Sequence, residues 1–308
     1  METTTLGKTG LKVSRLGAGL AAIGEELTMS EISEADRVLN TALDGGILFL
    51  DTAPCYFISE ELVGRTIAHR RDEYVLATKC GHATGGYIGD SWTYQTIKDS
   101  IERSLIRMRT DHLDLVQLHS CDIDVLNEGE VIRALQDAKQ DGKTRFIGYS
   151  GDNDAALWAV ESDQFDTLQT SFSLLDQNAR LNLFEPVRSR KMGLIAKRPI
   201  ANGAWGAKAS PSQTMRYNNT YTDEYFIRSR MMESDREVIH SPDDSILLAL
   251  GFVFGHPEID VAIVGTRNPG HMLNNIRMVE EGLPISRESI KELHERFIAL
   301  DLDLLQQR

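Results

Sequence analysis

The chain has 308 residues, 41% hydrophobic and 26% charged, with a formal net charge of -13. That composition fits a packed globular protein and excludes disorder, while so acidic a chain lacks the basic face that a nucleic-acid or anionic-membrane binder needs. No stretch reaches the ~20 apolar residues of a membrane helix, the N-terminus has no apolar signal core, and Cys55, Cys80 and Cys121 are an odd set without CxxC spacing, so reduced thiols, no metal site and a cytoplasmic location are expected.

In chain order, METTTLGKTGLKV predicts a β-hairpin turning at Gly7-Lys8-Thr9-Gly10. Eight short apolar runs follow: 15–20, 48–53, 74–79, 113–119, 144–150, 165–171, 193–199 and 261–266. Each is nearly continuously apolar until a polar residue closes it, the mark of parallel strands covered on both faces. Caps and helical periodicity predict helices near 30–44, 59–69, 94–109, 129–141, 153–161, 177–191, 242–255, 270–281 and 286–300. Strict βα alternation without a linker predicts a single (β/α)8 TIM barrel domain over 1–308. The alternative, a doubly wound sheet with a second domain, lacks a GxGxxG turn after the first strand. The one long connection, about 200–240, exceeds what a barrel turn needs and is expected to be a functional loop over the barrel mouth.

Catalysis in such a barrel sits where strands end, so the residues closing successive runs are the first candidates. These are Asp51, Lys79 and His119, with Tyr56 in the loop five residues after Asp51. The set suits carbonyl reduction. Hydride addition to a carbonyl carbon creates an alkoxide that needs a proton. Tyr56 is a feasible acid, Lys79 an ammonium that lowers its pKa, Asp51 the partner that orients Lys79, and His119 a hydrogen-bond donor to the carbonyl oxygen. Asp51 and Lys79 alone would equally suit a structural ion pair.

DTAPCYFISEELVGR, VLATK and DLVQLHS together resemble the aldo-keto reductase family signature, and the likeness extends through LGKTGLKVSRLGAGL, GKTRFIGYS, Gln169 and VGTRNPGHMLNNI. The resemblance implies that Asp51, Tyr56, Lys79 and His119 form the catalytic tetrad and that NADP(H) is bound at the barrel mouth. It assigns Ser150 and Gln169 to the nicotinamide carboxamide and the segment from Arg198 to the pyrophosphate. Gly265, Thr266, Arg267, His271, Asn274 and Asn275 would surround the adenosine end, where the N-terminus of a helix near 270 favours phosphate. Departures from the family pattern are Phe57 and Gly151, where glycine and asparagine are frequent, and AKRPIANGAW, which carries no stacking tyrosine. At the 2′-phosphate end Gly265 and His271 replace a common lysine and arginine, leaving Arg267 as the phosphate partner.

Trp92, Trp205, Tyr217, Tyr221 and Tyr225 are expected either to wall an apolar substrate pocket or to pack on the outer helices. The cysteines are expected near the mouth as small apolar fillers, and His82, His112, His240 and His256 as loop or surface residues. The functional expectation is an NADP(H)-dependent oxidoreductase acting on a small-molecule aldehyde, ketone, alcohol or sugar. The alternative is an NADP(H)-sensing binding protein of the potassium-channel β-subunit type with little turnover. A barrel using Lys79 as a Schiff base would leave Tyr56 unexplained.

Overall fold

A computed structural model describes residues 1–214, 220–233 and 237–300. Strands β1 (Thr3–Thr5) and β2 (Lys12–Ser14) form an antiparallel hairpin turned by the short helical turn Gly7–Thr9. Eight strands follow: β3 (Leu16–Gly19), β4 (Phe49–Asp51), β5 (Val75–Cys80), β6 (Leu113–His119), β7 (Thr144–Ser150), β8 (Thr167–Ser171), β9 (Gly193–Lys197) and β10 (Val261–Gly265). Each pairs in parallel with the next and β10 closes on β3, giving a (β/α)8 barrel.

Helices α1 (Ala21–Glu26), α2 (Ile32–Asp44), α3 (Ser59–Thr66), α4 (Tyr94–Met108), α5 (Ile123–Glu128), α6 (Glu130–Gln140) and α7 (Asn153–Glu161) surround its first half. The second half is covered by α8 (Asn178–Asn182), α9 (Phe184–Ser189), α10 (Thr220–Glu233), α11 (Ser245–Phe254), α12 (Pro269–Glu281) and α13 (Arg287–Ile298). Side-chain caps start several of them: Thr93 accepts from Thr96 N, Asp244 from Ile246 N and Leu247 N, and Ser286 from Ser289 N.

Every predicted strand is present, and the predicted helices fall within a few residues of observed ones. Three features differ. The stretch predicted as one helix over 177–191 is broken at Leu183 into α8 and α9, with Pro186, which has no N–H to donate, in the first turn of α9. The six-residue helices α1 and α5 carry too few residues to show a period. The long connection, expected as loop, contains the fourteen-residue α10, whose apolar residues form no single stripe. Tyr217 lies outside the described residues.

The core has two layers that follow the pleat of the strands. Phe49, Val75, Ala77, Leu115, Ile195, Val261 and Ile263 point inward and meet Leu6, Leu11 and Val13 of the hairpin, which plugs the barrel floor. Their neighbours Leu50, Leu76, Val116, Leu194, Ala262 and Val264 point outward against the helices. Asp260 Oδ2 fixes the plug, accepting from Gly7 N at 3.1 Å and Leu194 N at 2.9 Å. Among the described residues, no helix is long and apolar enough to cross a membrane.

Candidate active site

The inward parity that puts Phe49, Ala77 and Leu115 in the barrel floor carries Asp51, Lys79, Gln117 and His119 to its open end. Lys79 Nζ donates to Asp51 Oδ2 at 2.6 Å and to Thr52 O at 3.0 Å, with both charged side chains almost wholly buried. The remaining Asp51 oxygen accepts from Gln169 Nε2 at 2.9 Å, and Gln169 Oε1 accepts from Ser150 Oγ at 2.7 Å. The carboxylate is therefore fixed on both oxygens, so it holds the ammonium in one place.

Tyr56 reaches the same space from the loop after β4. The Lys79 ammonium lies 4.8 Å from its ring centre, and the His119 ring packs edge-on at 5.8 Å. The loop is held from below by α1, which comes so close at Gly24 that a Cβ there would lie 2.0 Å from Tyr56 O. Sequence alone gives no reason for that glycine. The exposed Phe57 next to Tyr56 adopts φ 48°, the left-handed backbone that favours the glycine frequent in the family pattern there.

Burial pushes the Tyr56 phenol up to about 12, against the pull of Lys79. The sequence expectation that the ammonium lowers this pKa thus has the right direction for Lys79 and the wrong net result, because desolvation wins. Burial also works against the Lys79 ammonium, yet Asp51 and Tyr56 outweigh it and hold the group above the usual lysine range. Lys79 stays protonated and is no amine nucleophile. Burial, with positive Lys79 beside it, holds His119 well below the ordinary imidazole range. At neutral pH the site therefore presents a protonated phenol, an ammonium and a neutral imidazole.

His82 is an exposed loop residue, as expected, and also lines the pocket, its ring 4.7 Å from Trp92 and 5.3 Å from His119. The surface expectation is corrected for one histidine. His256 is buried among Phe172, Phe184 and Phe252, bonded through Nδ1 to Phe252 O and through Nε2 to His294 Nε2. The cysteines do not form one cluster at the mouth. Cys80 and Cys121 fall in the outward layer between barrel and helices, while Cys55 Sγ lies 3.3 Å from His119 Nδ1.

From Tyr56 and His119 an open cleft of about 1430 Å³ runs past Ser150, Gln169 and Arg198 to Gly265–His271. Its floor carries no side chain where β3 and β10 pair at Gly19 and Gly265, and a Cβ on Gly265 would come 3.0 Å from Gly19 O. Such a cradle suits an elongated ligand that must approach the backbone closely, as a dinucleotide does. At its far end Asn268 Oδ1 accepts from Gly270 N and His271 N, so two N–H groups of the α12 terminus are already occupied. Asn274 and Asn275 do not line the cleft; Asn274 is exposed and Asn275 buried. Arg267 does, with its Nε 2.7 Å from Glu26.

Sequence reasoning missed Lys197, which points into the cleft from the end of β9 and binds buried Asp152 at 3.0 Å. Asp152 also accepts from Thr170 Oγ1 and Ser171 N. Arg198 beside it lies over the Tyr221 ring at 4.3 Å. Tyr221 lines the cleft, whereas Tyr225 is buried with its hydroxyl donating to Asp176. Trp92 reaches the pocket only through His82, and Trp205 packs against the core outside it.

The family model for the aldo/keto reductase family matches residues 15–296. The chain is 28% identical to an L-galactose dehydrogenase of Arabidopsis thaliana, over 95% of this chain and 93% of that one. It is 31% identical to a 6-dehydroglucose reductase of Novosphingobium aromaticivorans, over 68% and 71%. Among solved structures, an aldo-keto reductase of Bacillus halodurans in its holo form superposes with a TM-score of 0.77 at 26% identity, covering 96% of both chains. With the barrel, the bare-floored cleft and this match over nearly its whole length, the chain belongs to the aldo/keto reductase family.

Proposed function

We propose that this protein is an NADP(H)-dependent carbonyl reductase in which Tyr56 is the general acid. The observation that carries the reading is the Asp51–Lys79 pair at 2.6 Å, with its ammonium against the Tyr56 ring and neutral His119 on the other side. The bound nicotinamide supplies the hydride. Ser150, Gln169, Arg198, Gly265, Thr266, Arg267 and His271 line the cleft and would hold its dinucleotide.

The protein's own part is to hold the carbonyl oxygen and protonate it. His119 donates a hydrogen bond to that oxygen, which strengthens as negative charge develops. Tyr56 gives up its hydroxyl proton as the alkoxide forms, and Lys79 stabilises the phenolate left behind. Asp51 keeps Lys79 in place and pairs its charge throughout. A phenol pushed up to about 12 holds its proton across the physiological range, the form in which it can act as the acid. Two of the relatives carry names of sugar oxidoreductases, so aldehydes and sugars are the first substrates to try.

NADPH oxidation followed by absorbance against a panel of aldehydes, ketones and sugars tests the reading, with Tyr56→Phe run beside it. Turnover that falls at least ~10²-fold in the variant while NADPH binding persists is expected. Tight NADPH binding with no turnover on any substrate would point instead to a nucleotide sensor.

A further inference from the structure

His119 can assist a carbonyl only in one of its two neutral forms. With the proton on Nε2 it donates to the substrate oxygen; with the proton on Nδ1 it turns a lone pair toward that oxygen and repels it. Which form is present depends on what the other ring nitrogen meets. The backbone gives no help: among the described residues the one hydrogen-bond partner of the imidazole nitrogens is Cys55 Sγ, 3.3 Å from Nδ1.

From this geometry we propose that Cys55 is a positioning residue whose thiol donates to His119 Nδ1 and so fixes the proton on Nε2, the form that hydrogen-bonds the substrate carbonyl. The protonation states allow that direction. Burial pushes the thiol up to about 11, so it keeps its proton, and His119 is neutral. Three hydrogen positions, Sγ, Nδ1 and Nε2, therefore share two protons. A thiol is a better donor than a thioether-like sulfur is an acceptor, and it points the imidazole proton outward. The filler role expected from sequence accounts for the size of Cys55. It does not account for the placement of Sγ on Nδ1 rather than in the apolar layer that takes Cys80 and Cys121.

The proposal rests on the reductase reading for its purpose, but its test does not need turnover. Full-length protein labelled with 15N-histidine is examined by long-range proton–nitrogen NMR as wild type, Cys55→Ser and Cys55→Ala. The wild type should show His119 protonated on Nε2, Cys55→Ser should keep that form because a hydroxyl also donates, and Cys55→Ala should show the Nδ1-protonated form appearing. In parallel, kcat/KM for aldehyde reduction should fall about fivefold or more in Cys55→Ala, the size of one lost hydrogen bond. The loss should lie in kcat, be restored by Cys55→Ser, and leave NADPH binding unchanged. A wild-type His119 protonated on Nδ1, or a Cys55→Ala spectrum with His119 unchanged, overturns the proposal. Should Cys55→Ala fail to fold, the wild-type and Cys55→Ser spectra still decide it. The predicted spectra without turnover in any form would uphold the Cys55 role and sink the reductase reading alone.

Discussion

Lys79→Met removes the charge that in the proposed mechanism makes Tyr56 a usable acid, and the structure sets the size of the effect. The ammonium lies 4.8 Å from the phenol ring centre. At an effective dielectric of about 20 this is about 3.5 kcal/mol of interaction with a phenolate, or about 2.5 pKa units. If the proton-transfer rate follows acid strength with a Brønsted coefficient between one half and one, kcat/KM falls about 20- to 300-fold. The single variant has a second effect, because it leaves the buried Asp51 carboxylate unpaired, which costs roughly 3–5 kcal/mol of stability. Asp51→Asn combined with Lys79→Met removes both charges and should recover most of that stability without recovering activity. The assay is kcat/KM for a good aldehyde in all three proteins, with thermal melts beside it. A folded double variant with wild-type kcat/KM would refute the assignment of Lys79 to the chemistry and leave the pair a structural one.

Other consequences follow from single contacts. Gly24→Ala places a Cβ 2.0 Å from Tyr56 O and 2.6 Å from Ser59 Cβ; it should cost roughly 1–3 kcal/mol of stability and lower kcat by moving Tyr56, and an unchanged Tm and kcat would show that α1 does not set the loop. Because Glu26 occupies Arg267 at 2.7 Å, Glu26→Gln should tighten NADPH binding and leave NADH nearly unaffected, while Arg267→Ala should weaken NADPH selectively; fluorescence titrations in which NADH binds as tightly as NADPH would overturn the NADP(H) preference. At the closed end of the barrel, burial would raise Asp114, but the Leu76 N–H, Arg71 and Arg145 outweigh it and leave the carboxyl below its ordinary range. Its folded pKa is depressed, so its stabilisation is complete above the unfolded pKa of about 4 and is lost as pH falls through the lower folded value. Asp114→Asn should therefore melt lower at neutral pH and show a flatter acid limb in urea midpoints than the wild type.

The barrel was legible because its strands are short, apolar and closed by polar residues, and the meeting of Asp51, Lys79 and His119 at its open end because all three are those closing residues. The pleat explains both this success and the main omission. Counting inward positions two at a time from Phe49, Ala77 and Leu115 gives Asp51, Lys79 and, by way of Gln117, His119; the same count from Ile195 gives Lys197, not Arg198. The resemblance named Arg198, which lines the cleft as well, and carried no reading of Lys197 or of its pair with Asp152. The pairing itself was beyond sequence, since it joins the ends of β7 and β9, which are not adjacent in the sheet.

Loop residues show where such counting stops. His82, Cys55 and Trp92 lie after strand ends, where no period fixes a side chain, and one backbone choice decides the places of His82 and Trp92 together. Gly81 takes φ 120°, and a Cβ there would run into the Trp92 ring at 1.8 Å. With no side chain at 81, Trp92 closes over the loop and its backbone N–H donates to Gly81 O, leaving His82 packed between Trp92 and His119. The bulk that sequence assigned to a substrate wall thus acts one residue back from the cleft, through His82. His119 is then bounded by His82, Tyr56 and Cys55, three groups drawn from two different loops. Neutral His119 follows from that enclosure: burial and the nearby cations keep a proton off the ring, which in the proposed mechanism makes it a hydrogen-bond donor and leaves proton transfer to Tyr56.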